Sequence, residues 1–142
     1  MTACLSVLSC GAAPEAWPIE VAWCTKGEAV RTMLIKPTGD WGLSSWDKGC
    51  EADHRVSLEK LLSEGKAPLD ACLILNAALG GSEVLSAAPE TDSLWLFKLY
   101  RSAKVEPNYR LVAANAGLPS DLPRATDKVE ALRQALGFAQ SA

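Results

Sequence analysis

The sequence predicts an α/β fold: a mixed sheet of three antiparallel strands, then two strands parallel to the first, flanked by helices. Three observations lead there. The first third of the chain holds three β-type segments, Cys4–Cys10, Ile19–Thr25 and Ala29–Lys36, and their connections are too short for crossovers, so they form a meander. Helical patterns then alternate with short strands, in the order β-β-β-α-α-β-α-β-α, and a strand reached through a crossover helix returns parallel. Finally, 142 residues with 49% hydrophobic and 22% charged side chains make a single domain over residues 1–142, with a core of its own.

Each element has a local cause. Cys4–Cys10 carries no charge, as suits a central strand buried on both faces. In the second strand Ile19, Val21 and Trp23 alternate with Glu20, Ala22 and Cys24, the period of a strand with two unlike faces. Lys26-Gly27-Glu28 is the hairpin connection, and the β-formers of Ala29–Lys36 stop at Pro37. The stretch 38–53, with Gly39, Gly42, Gly49, Trp41 and Trp46, has no period and reads as a loop with aromatic anchors. Ser57 caps a helix over Leu58–Glu64 that Gly65 ends. Pro68 opens a stronger helix, Pro68–Leu79, with Leu69, Cys72, Leu73, Asn76 and Leu79 on one face and Gly80-Gly81 at its end.

Glu83–Ala87 is the fourth strand. It leads into a helix over Pro89–Ser102 whose Leu94, Trp95, Phe97, Lys98 and Tyr100 make it apolar over much of its surface, so close packing is expected. Tyr109–Ala113 is the fifth strand, and a rigid loop over 117–123 precedes a last helix, Ala125–Ala139, that buries Val129, Leu132, Leu136 and Ala139.

Charge and cysteine content narrow the function. A net charge of −3 gives no global attraction to nucleic acid, so such binding needs a local basic face or bridging cations. Cys4, Cys10, Cys24, Cys50 and Cys72 form no Cys-x-x-Cys, and with one histidine, His54, they make no zinc site. They read as buried thiols of a reducing compartment. The first residues lack the basic start of a secretory signal, and no apolar run reaches the roughly 20 residues that span a bilayer. The expectation is a cytoplasmic protein with no membrane partner.

Four phrases in order carry a resemblance. Trp17-Pro18-Ile19-Glu20-Val21-Ala22-Trp23-Cys24 is similar to the second-strand phrase of small bacterial 3'-5' exonucleases with a ribonuclease H-like fold, the group that includes oligoribonuclease, ribonuclease T and polymerase proofreading subunits. Glu51-Ala52-Asp53-His54-Arg55-Val56-Ser57 resembles that family's phrase after the third strand, Asp92-Ser93-Leu94-Trp95-Leu96 its second acidic motif, and Pro123-Arg124-Ala125 its third. The resemblance covers nearly the whole chain and implies a ribonuclease H-like sheet.

Chemistry in that family rests on four carboxylates holding two divalent cations roughly 3.5 to 4 Å apart, and on a histidine or tyrosine that takes a proton from water. Here the two first-strand acids fall on Ser6 and Leu8. Asp92 matches the acid of the second motif. In the third motif the proton acceptor falls on Pro123 and the last acid on Lys128, while a shift of one residue brings Asp127 into the acid's place and Leu122 into the acceptor's. The resemblance therefore implies a degenerate, non-catalytic member without cofactor, kept as a module for single-stranded nucleic acid, a nucleotide or a protein partner. Two other readings stay open: an active exonuclease using Mg2+ or Mn2+ in an atypical site, and a self-associating structural module, for instance a homodimer. His54 reads as structural. Trp41 and Trp46 could stack bases or plug the loop, and Arg124, Lys128 and Arg133 could form a phosphate-binding edge or a solvated helix face.

Overall fold

A computed structural model describes residues 2–9, 17–37, 56–114 and 125–135. Trp41, Trp46, His54, Pro123, Arg124, Cys10, Cys50, Leu136 and Ala139 lie outside the described residues. Five strands form one sheet in the order β3-β2-β1-β4-β5. They are β1 (Thr2–Ser9), β2 (Pro18–Thr25), β3 (Arg31–Leu34), β4 (Glu83–Ser86) and β5 (Arg110–Ala113). The helices are α1 (Leu58–Glu64), α2 (Pro68–Leu79), α3 (Pro89–Ala103) and α4 (Ala125–Ala135).

β1 pairs antiparallel with β2 and parallel with β4, β2 pairs antiparallel with β3, and β4 pairs parallel with β5. This is the expected mixed sheet. β1 is central because its two faces are both apolar. Ala3, Leu5 and Val7 join the larger core with Trp17, Ile19, Val21, Leu61, Leu75, Leu79 and Leu99, against α1, α2 and α3. Cys4 points the other way, to Ala22, Cys24, Val129 and Leu132 beneath α4. Burying one large aliphatic side chain such as Leu5 or Ile19 contributes about 1.5 to 3 kcal/mol, so a strand covered twice anchors both layers.

Cys4 and Cys24 stand directly opposite each other, with their sulfurs 3.0 Å apart. Cys4, Cys24 and Cys72 are buried free thiols, and burial pushes the Cys72 thiol up to about 12. That part of the cysteine expectation holds.

Punctuation residues act as expected around α1 and α2. The Ser57 hydroxyl accepts from the Lys60 N–H at 3.1 Å. Gly65 marks a close backbone approach, because a Cβ there would lie 2.5 Å from the Lys36 nitrogen and against the Leu61 carbonyl. The chain squeezes through so that Lys66 can bond both Leu34 and Lys36 along the outer edge of β3.

Three expectations need correction. α2 buries Ala71, Cys72, Leu75 and Leu79, leaving Leu69 and Leu73 about half exposed, so its inner face is rotated from the one expected. Apolar residues surround this helix almost completely, and periodicity cannot choose among them. α3 buries Trp95, Leu96, Leu99 and Tyr100, but Leu94 and Phe97 are open to solvent. β2 has no polar face, since Glu20 is as buried as its neighbours.

Candidate functional site

The carboxyl ends of β1 and β4 lie side by side, but the ladder between them stops at Cys4 and Leu85. The Val7 N–H lies beyond that ladder, and a buried backbone donor needs a partner. Asp92, in the first turn of α3, supplies it. Val7 N–H donates to Asp92 Oδ1 at 3.1 Å, and the Ser86 hydroxyl donates to Oδ2 at 2.5 Å. Ser86 Oγ in turn accepts from the Ala88 N–H at 3.1 Å. Asp92 thus ties the start of α3 to the ends of β1 and β4. Burial raises its pKa from 3.8 to about 6, with the Ser86 and Val7 hydrogen bonds and the Lys128 charge pulling the other way.

Open α/β sheets bind ligands in the crevice outside the carboxyl ends of their strands. Ser6, Leu8 and Asp92, three of the positions read from the sequence, lie at this end of β1 and α3. Ser6 is buried on the α4 side of β1, by the two-residue alternation it shares with Cys4. Leu8, half-buried on the same side, packs against apolar residues of both core clusters. Lys128 on α4 is near enough for its charge to favour ionised Asp92. Asp127, by contrast, is exposed. Of the two registers considered for the third motif, it is the lysine whose charge reaches the crevice.

Arg133 does not belong to a free basic edge. Its Nη1 meets Glu130 Oε1 at 2.8 Å and its Nε donates to the Glu28 carbonyl at 3.2 Å, which ties α4 to the β2–β3 turn.

Sequence reasoning missed Glu20. Fully buried on β2 and opposite Leu8, it accepts the Ala125 N–H on Oε1 at 2.9 Å and the Thr32 hydroxyl on Oε2 at 3.3 Å. A carboxylate at the first turn of a helix satisfies a free backbone donor and complements the helix dipole. Glu20 therefore docks α4 on the sheet. No local signal could reveal this, because its partner lies 105 residues away.

The donor set is a poor match for a pair of divalent cations. Magnesium and its like take carboxylate oxygens and water. Leu8 offers no donor, both Asp92 oxygens already accept protein hydrogen bonds, and Lys128 adds positive charge beside them. Among the described residues no group of three His, Cys, Asp or Glu side chains converges.

The fold of the chain is similar to that of solved exonuclease structures. The chain is similar to E. coli exonuclease I solved with a dT13 oligonucleotide, with a TM-score of 0.63 at 12% identity over 99% of this chain. It is equally similar to a product-bound exonuclease I, with a TM-score of 0.64 at 11% identity over 99% of this chain. The fold is ribonuclease H-like. The chain spans 37% and 39% of those two chains, well short of their full length. No family model and no curated relative matches the sequence. Among the described residues no helix is long and apolar enough to cross a membrane.

Proposed function

We propose that this protein is a non-catalytic relative of the 3'-5' exonucleases that uses the fold to bind single-stranded nucleic acid. The observation that carries this reading is the state of Asp92. The one acid matching the family's pattern in the crevice spends both oxygens on the Val7 N–H and the Ser86 hydroxyl, with the Lys128 charge near enough to favour its ionised form. An ammonium near the crevice attracts phosphate without supplying a metal-bound water as nucleophile, so the strand is bound and its ester left intact. Exonuclease I has been solved with bound single strands, which supports the same ligand class here.

The test combines hydrolysis with binding. Purified protein, given Mg2+ or Mn2+ and an end-labelled short single strand, is expected to release no nucleotide. The same strand is expected to bind with an affinity that falls as salt rises. Metal-dependent release that Asp92→Asn abolishes while the protein stays folded would overturn the proposal, as would the absence of binding at low salt.

A further inference from the structure

A second opening lies apart from the crevice. It is a groove of about 570 Å³ between the outer side of α3, the turn that follows it and β5. Ligand pockets typically fall between about 300 and 1,000 Å³. Its lining includes Phe97, Tyr100, Tyr109 and Leu111, with Arg101 and Lys104 among them.

The walls are fixed by a hydrogen-bonded network. The Tyr100 and Tyr109 hydroxyls lie 3.0 Å apart, their rings meet edge to face with centroids separated by 6.1 Å, and the Tyr100 hydroxyl also donates to Asn76 Oδ1 at 2.9 Å. Asn76 Nδ2 donates to the Glu106 carbonyl at 3.0 Å, which holds the turn against α2. By contrast Phe97 is 60% exposed, with the Arg101 guanidinium 5.9 Å from its ring centroid.

The charge here runs against that of the chain. Net charge is −3 overall, yet the groove sets Arg101 and Lys104 against the single carboxylate Glu106. Neither cation has a carboxylate partner among the described residues, where the one salt bridge joins Arg133 to Glu130. Flat aromatic surface beside two cations suits a planar heterocycle carrying an anion. Bases stack on aromatic faces, and a guanidinium grips phosphate oxygens in pairs.

We propose that this groove holds one nucleotide unit, its base stacked at Phe97 and its phosphate held by Arg101 and Lys104. The proposal extends the binding reading above to a second place on α3, and the two can fail separately. Amide NMR spectra of the isotope-labelled full chain would be followed while adenosine monophosphate, and separately a short oligothymidylate, is added. Both ligands are expected to shift the amides of Phe97, Arg101 and Tyr109. Phe97→Ala is expected to weaken binding about five- to a hundred-fold, the range for one lost stacking contact, and Arg101→Glu about ten-fold or more. Both positions are exposed, so folding is expected to survive, and unchanged far-UV circular dichroism would check it.

Several outcomes would overturn the groove. One is no groove shift with adenosine monophosphate up to about 10 mM, beyond the weakest useful affinities. Another is binding untouched by both variants, and a third is an apolar dye occupying the groove that neither nucleotide displaces. Oligothymidylate binding lost in Lys128→Glu but not in Arg101→Glu would sink the groove and keep the crevice. Groove shifts with the mononucleotide but no oligothymidylate binding would keep the groove and sink the single-strand reading.

Discussion

α3 borders two concave regions that have been treated in opposite ways. At its first turn, by β1 and β4, the acid is buried: Asp92 is 4% exposed and its oxygens are committed to protein donors. Along its outer side, the groove by β5 is open, with the Phe97 ring mostly in solvent and two cations in its lining that have no carboxylate partner among the described residues. The contrast teaches that a polar residue in a cleft says little until its partners are counted. Asp92 looks like an active-site acid by position and behaves as a structural tie by its hydrogen bonds. Phe97, which looks like core by its residue type, is the side chain with surface to offer.

The strongest way to break this comparison is to cut the tie. Asp92→Ala leaves the Val7 N–H and the Ser86 hydroxyl buried without their partner, and each such orphan costs about 1 to 3 kcal/mol, so a loss of about 2 to 6 kcal/mol is expected in urea unfolding. Asp92→Asn keeps the shape and is expected to be tolerated. The pH dependence follows from the raised pKa. Between 3.8 and about 6 the folded protein holds a proton on Asp92 that the unfolded chain has lost, so this group's contribution to stability falls as pH rises through that window and is level above it. The full change corresponds to about 3 kcal/mol. Asp92→Asn is expected to flatten that slope and to be the more stable protein at neutral pH. A slope unchanged in Asp92→Asn would mean that the crevice is wetter than its burial indicates.

Much of the architecture was legible because this chain marks its boundaries. Ser57, Gly65, Pro68 and Gly80 bracket α1 and α2 at the predicted residues, and the charge-free run of β1 announced a strand covered on both faces. What could not be read depends on distant pairings. Glu20 becomes a helix anchor only when the sheet brings Ala125 to it, and Tyr100 meets Tyr109 only when β5 folds back beside α3. Family resemblance singled out Ser6, Leu8, Asp92 and Lys128 as site positions, but the engagement of Asp92 by Ser86 could not be read from it. A serine at the end of β4 carries no mark of what its hydroxyl will meet.

A milder test addresses the rigidity of the groove. Tyr100→Phe removes one hydroxyl from the Asn76–Tyr109 network while keeping the ring, so a cost of about 1 kcal/mol is expected. Its larger effect should be local. Hydrogen exchange is expected to quicken at Asn108, whose N–H reaches Asn76 Oδ1 at 3.4 Å, while Val7 at the crevice stays protected. Equal loosening at both places would make the two regions one cooperative unit.

The smallest expected effect is the most informative about Phe97. A ring that filled core would cost about 3 to 5 kcal/mol on truncation to alanine, as expected for Trp95, which is 5% exposed in the same helix. Phe97 is 60% exposed, so Phe97→Ala is expected to shift unfolding by no more than about 0.5 kcal/mol. Thermal and urea unfolding of the two variants side by side would check this. A near-neutral Phe97→Ala means that the ring contributes little to the fold, leaving its exposed face and the nearby Arg101 available to a ligand. A Phe97→Ala as costly as Trp95→Ala would place the ring in the core and close the groove.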